Sequence, residues 1–335
     1  MGKTIKEFTP FTKEDLKENF EGIPDNIESI KRVRVHQGWW RLNILNQKAG
    51  QHPIRKNDTV CNTIRDGEIS GANFLTENTL KVVKNTLQNR LSDDGGKIEE
   101  GRLYNNLLSS QPLCFNFFAE LELNKELGVK ILQNWWSDIT KLNEVLFEYS
   151  PPINYTKDGS AFDIAFDVQF GSKRGFIGLE CKYTDTFSYK PQKSKVYYGD
   201  KENKNYSTYL EIFNSNKKAF KADYFDFVLN KDYNQLFRNQ LMAESILNNS
   251  DNKFEVVKTG LFCYEQDEKA IQSGLKFQSM LSKVEKTFSI ITYKDFIEST
   301  QKLDLSWEER GWVMLLWARY CGMKLSENIY NQLLK

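Results

Sequence analysis

The chain has 335 residues, 40% hydrophobic and 27% charged, which is the composition of an ordinary globular protein and excludes long disordered stretches. Its net charge of +1 excludes coating of nucleic acid by overall charge, so any contact with DNA or RNA needs a local basic patch. The five cysteines and two histidines lack the spacing of a zinc site. Dispersed cysteines of odd number indicate free thiols in a reducing compartment. The polar N-terminus and the lack of a long apolar run predict a cytoplasmic protein.

Apolar spacing predicts the elements in chain order. Thr76–Leu91 and Lys125–Leu146 carry apolar residues three or four apart, which is typical of helices that bury one face. A short strand is predicted at Val145–Tyr149, and a hairpin follows at Ala161–Thr184. Further helices are predicted at Tyr209–Phe227, Tyr233–Leu247, Ala270–Val284, Trp307–Tyr320 and Ser326–Leu334, with strands at Val256–Tyr264 and Phe288–Thr292. This mixture predicts an α/β sheet domain with N- and C-terminal helical additions.

The same order divides the chain into three parts. A mostly helical extension is expected over residues 1–100, the sheet core over 101–300, and C-terminal helices over 301–335. Because no repeat or low-complexity linker separates these parts, we expect them to pack as one compact domain.

The hairpin carries the strongest signal. In Ala161–Phe170 the even positions are apolar and the odd positions are small or polar, as in a strand with one buried face. Phe176–Thr184 alternates in the same way, and Gly171–Gly175 is predicted to be the turn. The less apolar face then holds Asp163, Glu180 and Lys182.

The register of the hairpin decides how close these side chains come. Pairing the strands from Phe170 onward places Asp163 opposite Lys182, and Glu180 opposite Ala165. Directly opposed residues have Cβ atoms about 5 Å apart, so the three side chains would form one cluster.

Two carboxylates on one face suit Mg²⁺, which prefers hard oxygen ligands. Asp163 and Glu180 are the expected ligands, and the backbone carbonyl of Cys181 is a candidate third. The bound ion would activate water for phosphodiester hydrolysis, and the Lys182 ammonium could position that water or stabilise developing charge. The alternative is an ordinary polar sheet face, in which Asp163 and Lys182 form only a cross-strand ion pair.

These residues resemble the PD-(D/E)XK nuclease superfamily, whose signature is an Asp on one strand and Glu-x-Lys on the next. Phe162 stands where the literal signature has Pro. The second strand reads Gly175-Phe176-Ile177-Gly178-Leu179-Glu180-Cys181-Lys182-Tyr183. The chain is most similar to a branch of uncharacterised bacterial nuclease-like proteins in which Ser-Ser-Gln-Pro-x-Cys-Phe-Asn precedes the core, as in Ser109–Asn116 here. The likeness extends from His36 to Phe296.

The resemblance implies a restriction-endonuclease-like core, with a mixed central β-sheet flanked by helices. It also implies that the metal-binding pair falls on Asp163 and Glu180, and that the catalytic lysine is Lys182. The expected metal is Mg²⁺, with Mn²⁺ as the alternative.

Supporting residues follow from the same resemblance. Many members add a Glu from a helix before the core, for which Glu120 is the first candidate and Glu148 the second. Members often place a Gln or a basic residue on a later helix, near the metal site or a phosphate. Gln235 and Arg238 share one face of such a helix here, which makes Gln235 an accessory candidate and Arg238 a nucleic-acid-binding candidate. Asp167 could be an accessory ligand, although the rim of the polar face is the simpler place. All of these could equally be ordinary surface residues.

Lys190, Lys193 and Lys195 follow the hairpin, with tyrosines between them. That mixture suits phosphate contact and base stacking, although a solvated loop is the alternative. The sequence as a whole predicts a metal-dependent nuclease with DNA as the expected substrate, no membrane partner, and a homodimer left open. The alternatives are a non-catalytic module that retains the fold to bind nucleic acid or protein, and a purely structural sheet.

Overall fold

The computed structural model describes residues 28–51, 59–90, 96–184, 205–216, 219–221, 233–249, 253–282 and 287–334, together with positions 14, 16, 20 and 225. The strands are β1 (Ala49–Gln51), β2 (Thr59–Ile64), β3 (Ile139–Tyr149), β4 (Phe162–Phe170), β5 (Lys173–Lys182), β6 (Val256–Cys263) and β7 (Phe288–Thr292). The first two form a small antiparallel sheet, and the other five form the central sheet in chain order.

Helices precede, interrupt and follow these strands. Before β3 lie α1 (Glu28–Trp39), α2 (Gly67–Ser70), α3 (Glu77–Asn89), α4 (Glu100–Asn105), α5 (Ser110–Leu123) and α6 (Lys125–Leu132). After β5 lie α7 (Tyr206–Ser215), α8 (Asn234–Asn248), α9 (Glu268–Met280), α10 (Tyr293–Gln301), α11 (Trp307–Leu316) and α12 (Glu327–Leu333). A π-helical turn at Trp317–Cys321 continues α11. Within the described residues, no helix is both long and apolar enough to cross a membrane.

The central sheet is mixed. Strands β3, β4 and β5 pair antiparallel, whereas β6 runs parallel to β5 and β7 runs parallel to β6. Helix α5 packs on β3, β4 and β5, and α8 packs on β5 and β6. Separate apolar clusters therefore bury alternate residues of the central strands, with Phe166 in one and Phe176 in another. This architecture confirms the predicted restriction-endonuclease-like α/β fold.

The prediction of one helix over Lys125–Leu146 is wrong. The helix ends at Leu132, and the edge strand β3 begins at Ile139. Two irregularities in the pairing of β3 with β4 move its buried residues three apart, at Ile139, Leu142 and Val145. Because β-bulges add a residue to one strand, this strand imitates the apolar spacing of a helix.

The N- and C-terminal additions meet the core through buried polar groups. Arg319 donates from Nε to Gln37 Oε1 at 3.2 Å and from Nη2 to Asn73 Oδ1 at 2.6 Å. Gln37 in turn donates to the Tyr183 hydroxyl at 2.7 Å. Because Tyr183 directly follows Lys182, this network fixes the end of the strand that carries the Glu-Cys-Lys triplet.

Candidate active site

The hairpin has a tighter turn than the sequence predicted. Phe170 pairs with Lys173, so that only Gly171 and Ser172 lie between the strands, and Gly171 has a φ of 59°. The predicted register is therefore wrong by two residues. A shift of two preserves the faces of both strands, because side chains alternate with a period of two.

The pairing of β4 with β5 ends at Ile164 and Leu179. Beyond that point the Asp163 carboxylate, rather than a backbone carbonyl, accepts the Cys181 N–H at 2.7 Å. The next pair in the same register would be Asp163 and Glu180, whereas the sequence analysis set Asp163 against Lys182. The two carboxylates are thus nearer neighbours than predicted.

Phe162 contradicts the simple alternation of β4. Its ring lies 5.2 Å from the Phe176 ring, on the face opposite to Ile164. It occupies the space above Gly178, where a Cβ would stand 2.3 Å from its Cδ1 atom. Phe162 and Ile164 therefore lie on opposite faces of the sheet. The change occurs at Asp163, whose carboxylate accepts the hydrogen bond from Cys181 of β5.

Glu180 and Lys182 lie two residues apart on one face of β5, and both side chains are buried. The Lys182 ammonium donates to Glu180 Oε1 at 2.7 Å. Asn239, which is buried on α8, donates its amide to Glu180 Oε2 at 2.8 Å. Tyr293 donates its hydroxyl to the Lys182 backbone carbonyl at 2.6 Å. Partners from two helices thus fix this part of β5.

The electrostatics of this cluster disfavour its charged state. Burial, followed by the charges of Glu180 and Glu148, holds the pKa of Asp163 well above its ordinary value, although Lys182 opposes the shift. Burial also raises the pKa of Glu148 to about 7, with Glu180 adding to the shift and a hydrogen bond from Gln111 opposing it. Three carboxylates therefore share one partly desolvated site with one ammonium.

Such a site suits a hard divalent cation, because a cation would lower the cost of ionising neighbouring carboxylates and the donors are oxygens. The side chains as the structure has them are not placed to coordinate a metal ion. In the part of the chain that the structure describes, no three His, Cys, Asp or Glu side chains stand close enough to hold a metal ion. Both oxygens of Glu180 are instead bonded to nitrogen donors. Donor type and charge fit a metal, and the side chains would need to rearrange.

Glu148, the second candidate for the additional carboxylate, lies beside the cluster, whereas Glu120 does not. Glu120 accepts from the Thr76 hydroxyl at 2.7 Å and from the Asn78 amide at 3.1 Å, at the start of α3. Glu120 as the additional carboxylate stays a prediction. Its α5 neighbours Phe117 and Phe118 are the ones that face the core.

The backbone of Glu148 is itself unusual. Its φ is 47°, in a region that non-glycine residues rarely occupy and that often marks functional sites. A groove of about 470 Å³ along α3 and β3 reaches Glu148, and Arg90 and Glu144 also line it. No sequence pattern indicated this conformation.

Helix α8 contributes a different residue from those predicted. Arg238 donates to Asp158 Oδ2 and to the Ser160 hydroxyl, both at 3.0 Å, so in this structure it clamps the loop before β4, and its contact with nucleic acid stays a prediction. Gln235 lies half-buried one turn before Asn239, which bonds Glu180. Sequence reasoning selected the correct helix and missed Asn239, although its spacing of four from Gln235 was visible.

Asp167 is also a structural residue. Its carboxylate accepts a bidentate contact from Arg174 and a hydrogen bond from the Asn143 amide at 2.9 Å. It is buried, so the expected place on a wet rim is wrong. Lys190, Lys193 and Lys195 lie outside the described residues.

A family model described as the PD-(D/E)XK nuclease superfamily matches residues 25–322. That match covers most of the chain, so the protein belongs to the PD-(D/E)XK nuclease superfamily. No curated protein and no solved structure matches the chain. Membership indicates a nuclease in the general sense, with nucleic acid as the class of substrate, and such nucleases typically use divalent metals.

Proposed function

We propose that this protein is a divalent-metal-dependent nuclease that hydrolyses phosphodiester bonds, with DNA as its substrate and Mg²⁺ or Mn²⁺ as its metal. The observation that carries the proposal is that Asp163, Glu180 and Lys182 lie close together where β4 begins and β5 ends, in a chain of this superfamily. The raised pKa of Asp163 supports it, because strongly perturbed carboxylates cluster at functional sites.

Asp163 and Glu180 would hold the metal, with the Cys181 backbone carbonyl as a further oxygen donor. The metal would supply Lewis acidity toward the phosphodiester and lower the pKa of a bound water. Lys182 would then leave Glu180 and donate a hydrogen bond to the attacking water or to the phosphate oxygens. Asn239 would keep Glu180 oriented after that exchange, since it bonds the other carboxylate oxygen.

Glu148 would be the third carboxylate of the site. The left-handed backbone of Glu148 fixes the position from which its side chain starts, and the charge of Glu180 acts on its carboxylate. The Glu148 carboxylate would add oxygen ligands to those that Asp163 and Glu180 supply.

The test is incubation of the protein with linear, supercoiled and single-stranded DNA and with RNA, with Mg²⁺, with Mn²⁺ and with a chelator. Cleavage that needs the metal, and that disappears in the folded Lys182→Ala variant, would support the proposal. The matched carboxylate pair is Glu180→Gln and Glu120→Gln, which make the same change inside and outside the cluster. Equal cleavage by these two variants would contradict the assignment.

A second function is favoured by one observation. Both oxygens of Glu180 are already bonded, to Lys182 and Asn239, which is a complete structural arrangement without a metal. A non-catalytic module that binds nucleic acid or protein could retain the fold in this form. Titration calorimetry separates the two functions, because the nuclease must take up Mg²⁺ or Mn²⁺, whereas the module would shift DNA without binding either ion.

A further inference from the structure

The groove of about 470 Å³ between α3 and β3 adjoins the proposed active site. Glu148, the third carboxylate of that site, lines the groove, and so does Glu144, which lies four residues earlier on the same strand. Because a strand rises about 3.3 Å per residue, the lining extends about 13 Å along β3 from Glu148. The groove is therefore long enough to hold part of a substrate whose scissile phosphate is bound at Asp163 and Glu180.

The charges along the groove disfavour a phosphate backbone inside it. Among the described residues that line it, the charged ones are three carboxylates, Glu122, Glu144 and Glu148, and one cation, Arg90. Arg90 already donates to the backbone carbonyls of Gly96 and Glu148. A phosphate would therefore meet more negative than positive charge in the groove, whereas a neutral base would not be repelled.

The groove also offers hydrogen-bonding groups. The side-chain amides of Asn85 and Asn89 line it, are exposed, and bond to no group in the described part of the chain. β3 is an edge strand, and its Val145 N–H donates to Glu122 at 2.7 Å instead of to β4. Phe147 pairs with β4 in the same register two residues later. Its N–H and C=O therefore also face the groove, because backbone groups alternate sides along a strand.

Apolar side chains complete the lining, namely Val82, Leu123 and Leu146. A nucleobase matches this combination, because its faces are apolar and its edge carries hydrogen-bond donors and acceptors. A base that is paired and stacked in a duplex cannot turn its faces toward a protein groove. The base must therefore be unpaired and turned out of the stack.

Glu144 gives the groove a preference among bases. Its side chain is exposed and forms no ion pair or hydrogen bond with any residue that the structure describes. A carboxylate accepts a hydrogen bond from the exocyclic amino group of cytosine, and adenine carries such a group as well, whereas thymine carries none. A base with an exocyclic amino group should therefore bind more tightly than thymine.

We propose that this groove binds one unpaired base with an exocyclic amino group, beside the phosphate that is cut. The inference rests on the proposed nuclease function, because the metal site defines where the scissile phosphate lies. Glu144 and Asn85 would contact the edge of the base, and Leu146 would contact its face. The substrate is therefore single-stranded DNA, or a duplex with an extruded nucleotide.

The test is fluorescence anisotropy of the full chain with short labelled single strands that contain only cytosine or only thymine. A chelator removes the metal and prevents cleavage. The two strands have the same backbone, and the amino group is present in only one of them. The wild type should bind the cytosine strand about fivefold more tightly or better. A duplex of the same length should bind more weakly than the cytosine strand.

Two variants locate the contact. Glu144→Ala should abolish the preference for cytosine, and Asn85→Ala should weaken binding of the cytosine strand by about threefold or more. Glu308→Ala is the matched control, since Glu308 is also exposed and lies on α11, outside the groove. It should keep the affinity and the preference of the wild type.

Equal affinity for the two strands, or a preference that Glu144→Ala leaves unchanged, would overturn the proposal. So would the absence of binding to both strands, in chelator and also with Ca²⁺. Failure of the proposed nuclease function gives a different result. Cleavage of DNA without a preference for cytosine would remove only the base site, whereas the preference without cleavage in Mg²⁺ or Mn²⁺ would remove only the hydrolysis.

Discussion

Asp158 and Asp163 lie five residues apart in sequence and have opposite electrostatic surroundings. Burial alone would raise the pKa of Asp158, but Arg238 and hydrogen bonds from Thr156, Ser160 and Tyr209 lower it to about 2. Asp163 has two carboxylates as neighbours, and its pKa lies well above the ordinary value. The fold surrounds Asp158 with donors and a cation, whereas it places Asp163 beside two other carboxylates.

This difference separates structural from functional carboxylates more clearly than burial does. The Asp158 side chain is only 3% exposed, yet it is surrounded by donors. Natural proteins often accept lower stability at functional sites, so the Asp163 cluster should destabilise the fold while the Asp158 clamp stabilises it.

The largest expected effect is the loss of nuclease activity when Asp163 is replaced. Asp163→Asn should reduce cleavage by about 10³-fold or more, because it removes a proposed metal ligand. The same variant should be as stable as the wild type or more stable by about 1 kcal/mol at pH 8, since a neutral amide replaces a buried carboxyl whose charged form its surroundings disfavour. Activity assays and urea unfolding of one preparation measure both. Large destabilisation together with retained cleavage would contradict the comparison.

The next largest effect is the loss of folding stability when Asp158 is replaced. Asp158→Asn leaves Arg238 without its paired charge, and it should lower the free energy of unfolding by about 2–4 kcal/mol. Asp304→Asn, at an exposed site, is the control and should change stability little. If both variants unfold at the same urea concentration, the clamp has no structural role.

The pH dependence of Asp158 has a defined sign. Its pKa falls from the ordinary 3.8 to about 2 on folding, so its contribution is present above pH 4 and is lost as the pH falls toward 2. Unfolding of wild type and Asp158→Asn should therefore differ near neutral pH and converge in acid. Thermal unfolding monitored by circular dichroism at each pH measures the difference.

Glu148 should behave in the opposite way. Its pKa rises from the ordinary 4.5 to about 7, so its protonated form is favoured by the fold, and that stability is lost as the pH rises from 4.5 through 7. Glu148→Gln should match the wild type near pH 4.5 and be more stable by about 1–2 kcal/mol at pH 8. Thermal unfolding of the two proteins at each pH measures the difference.

The smallest effect is expected at Asn239, which we regard as a positioning residue for Glu180. Asn239→Ala should lower kcat by about tenfold and leave substrate KM unchanged, because Glu180 loses one of two orienting bonds. It should also raise the metal concentration needed for half-maximal rate. A change in KM alone would indicate a substrate contact instead.

The sequence predicted the central hairpin because alternation is a property of neighbouring residues. It put Glu180 and Lys182 on one face of β5, where the structure has them in contact. The register failed because Lys173 and Arg174 were assigned to a turn on polarity, whereas they begin β5. A polar residue at an exposed strand end carries no local signal of its pairing.

Other features depended on packing between distant segments. Asn239 reaches Glu180 only because α8 packs against β5, and no local pattern encodes that contact. The bond from Arg238 to Asp158 was not predicted, because an arginine on a helix surface and one bound to a distant carboxylate look the same in sequence. The sequence did not predict the structural role of Asp158, because polar residues are typical of any connecting segment.

The central proposal is that the carboxylates around Asp163 bind a divalent cation, whereas Asp158 is satisfied by Arg238 and its hydrogen-bond donors. Thermal unfolding with increasing Mn²⁺ tests it most directly, because an ion that binds the folded state raises the melting temperature. The melting temperature of the wild type and of Asp158→Asn should rise with Mn²⁺, and that of Asp163→Asn should not. An equal rise in Asp163→Asn, or no rise in the wild type, would contradict the claim.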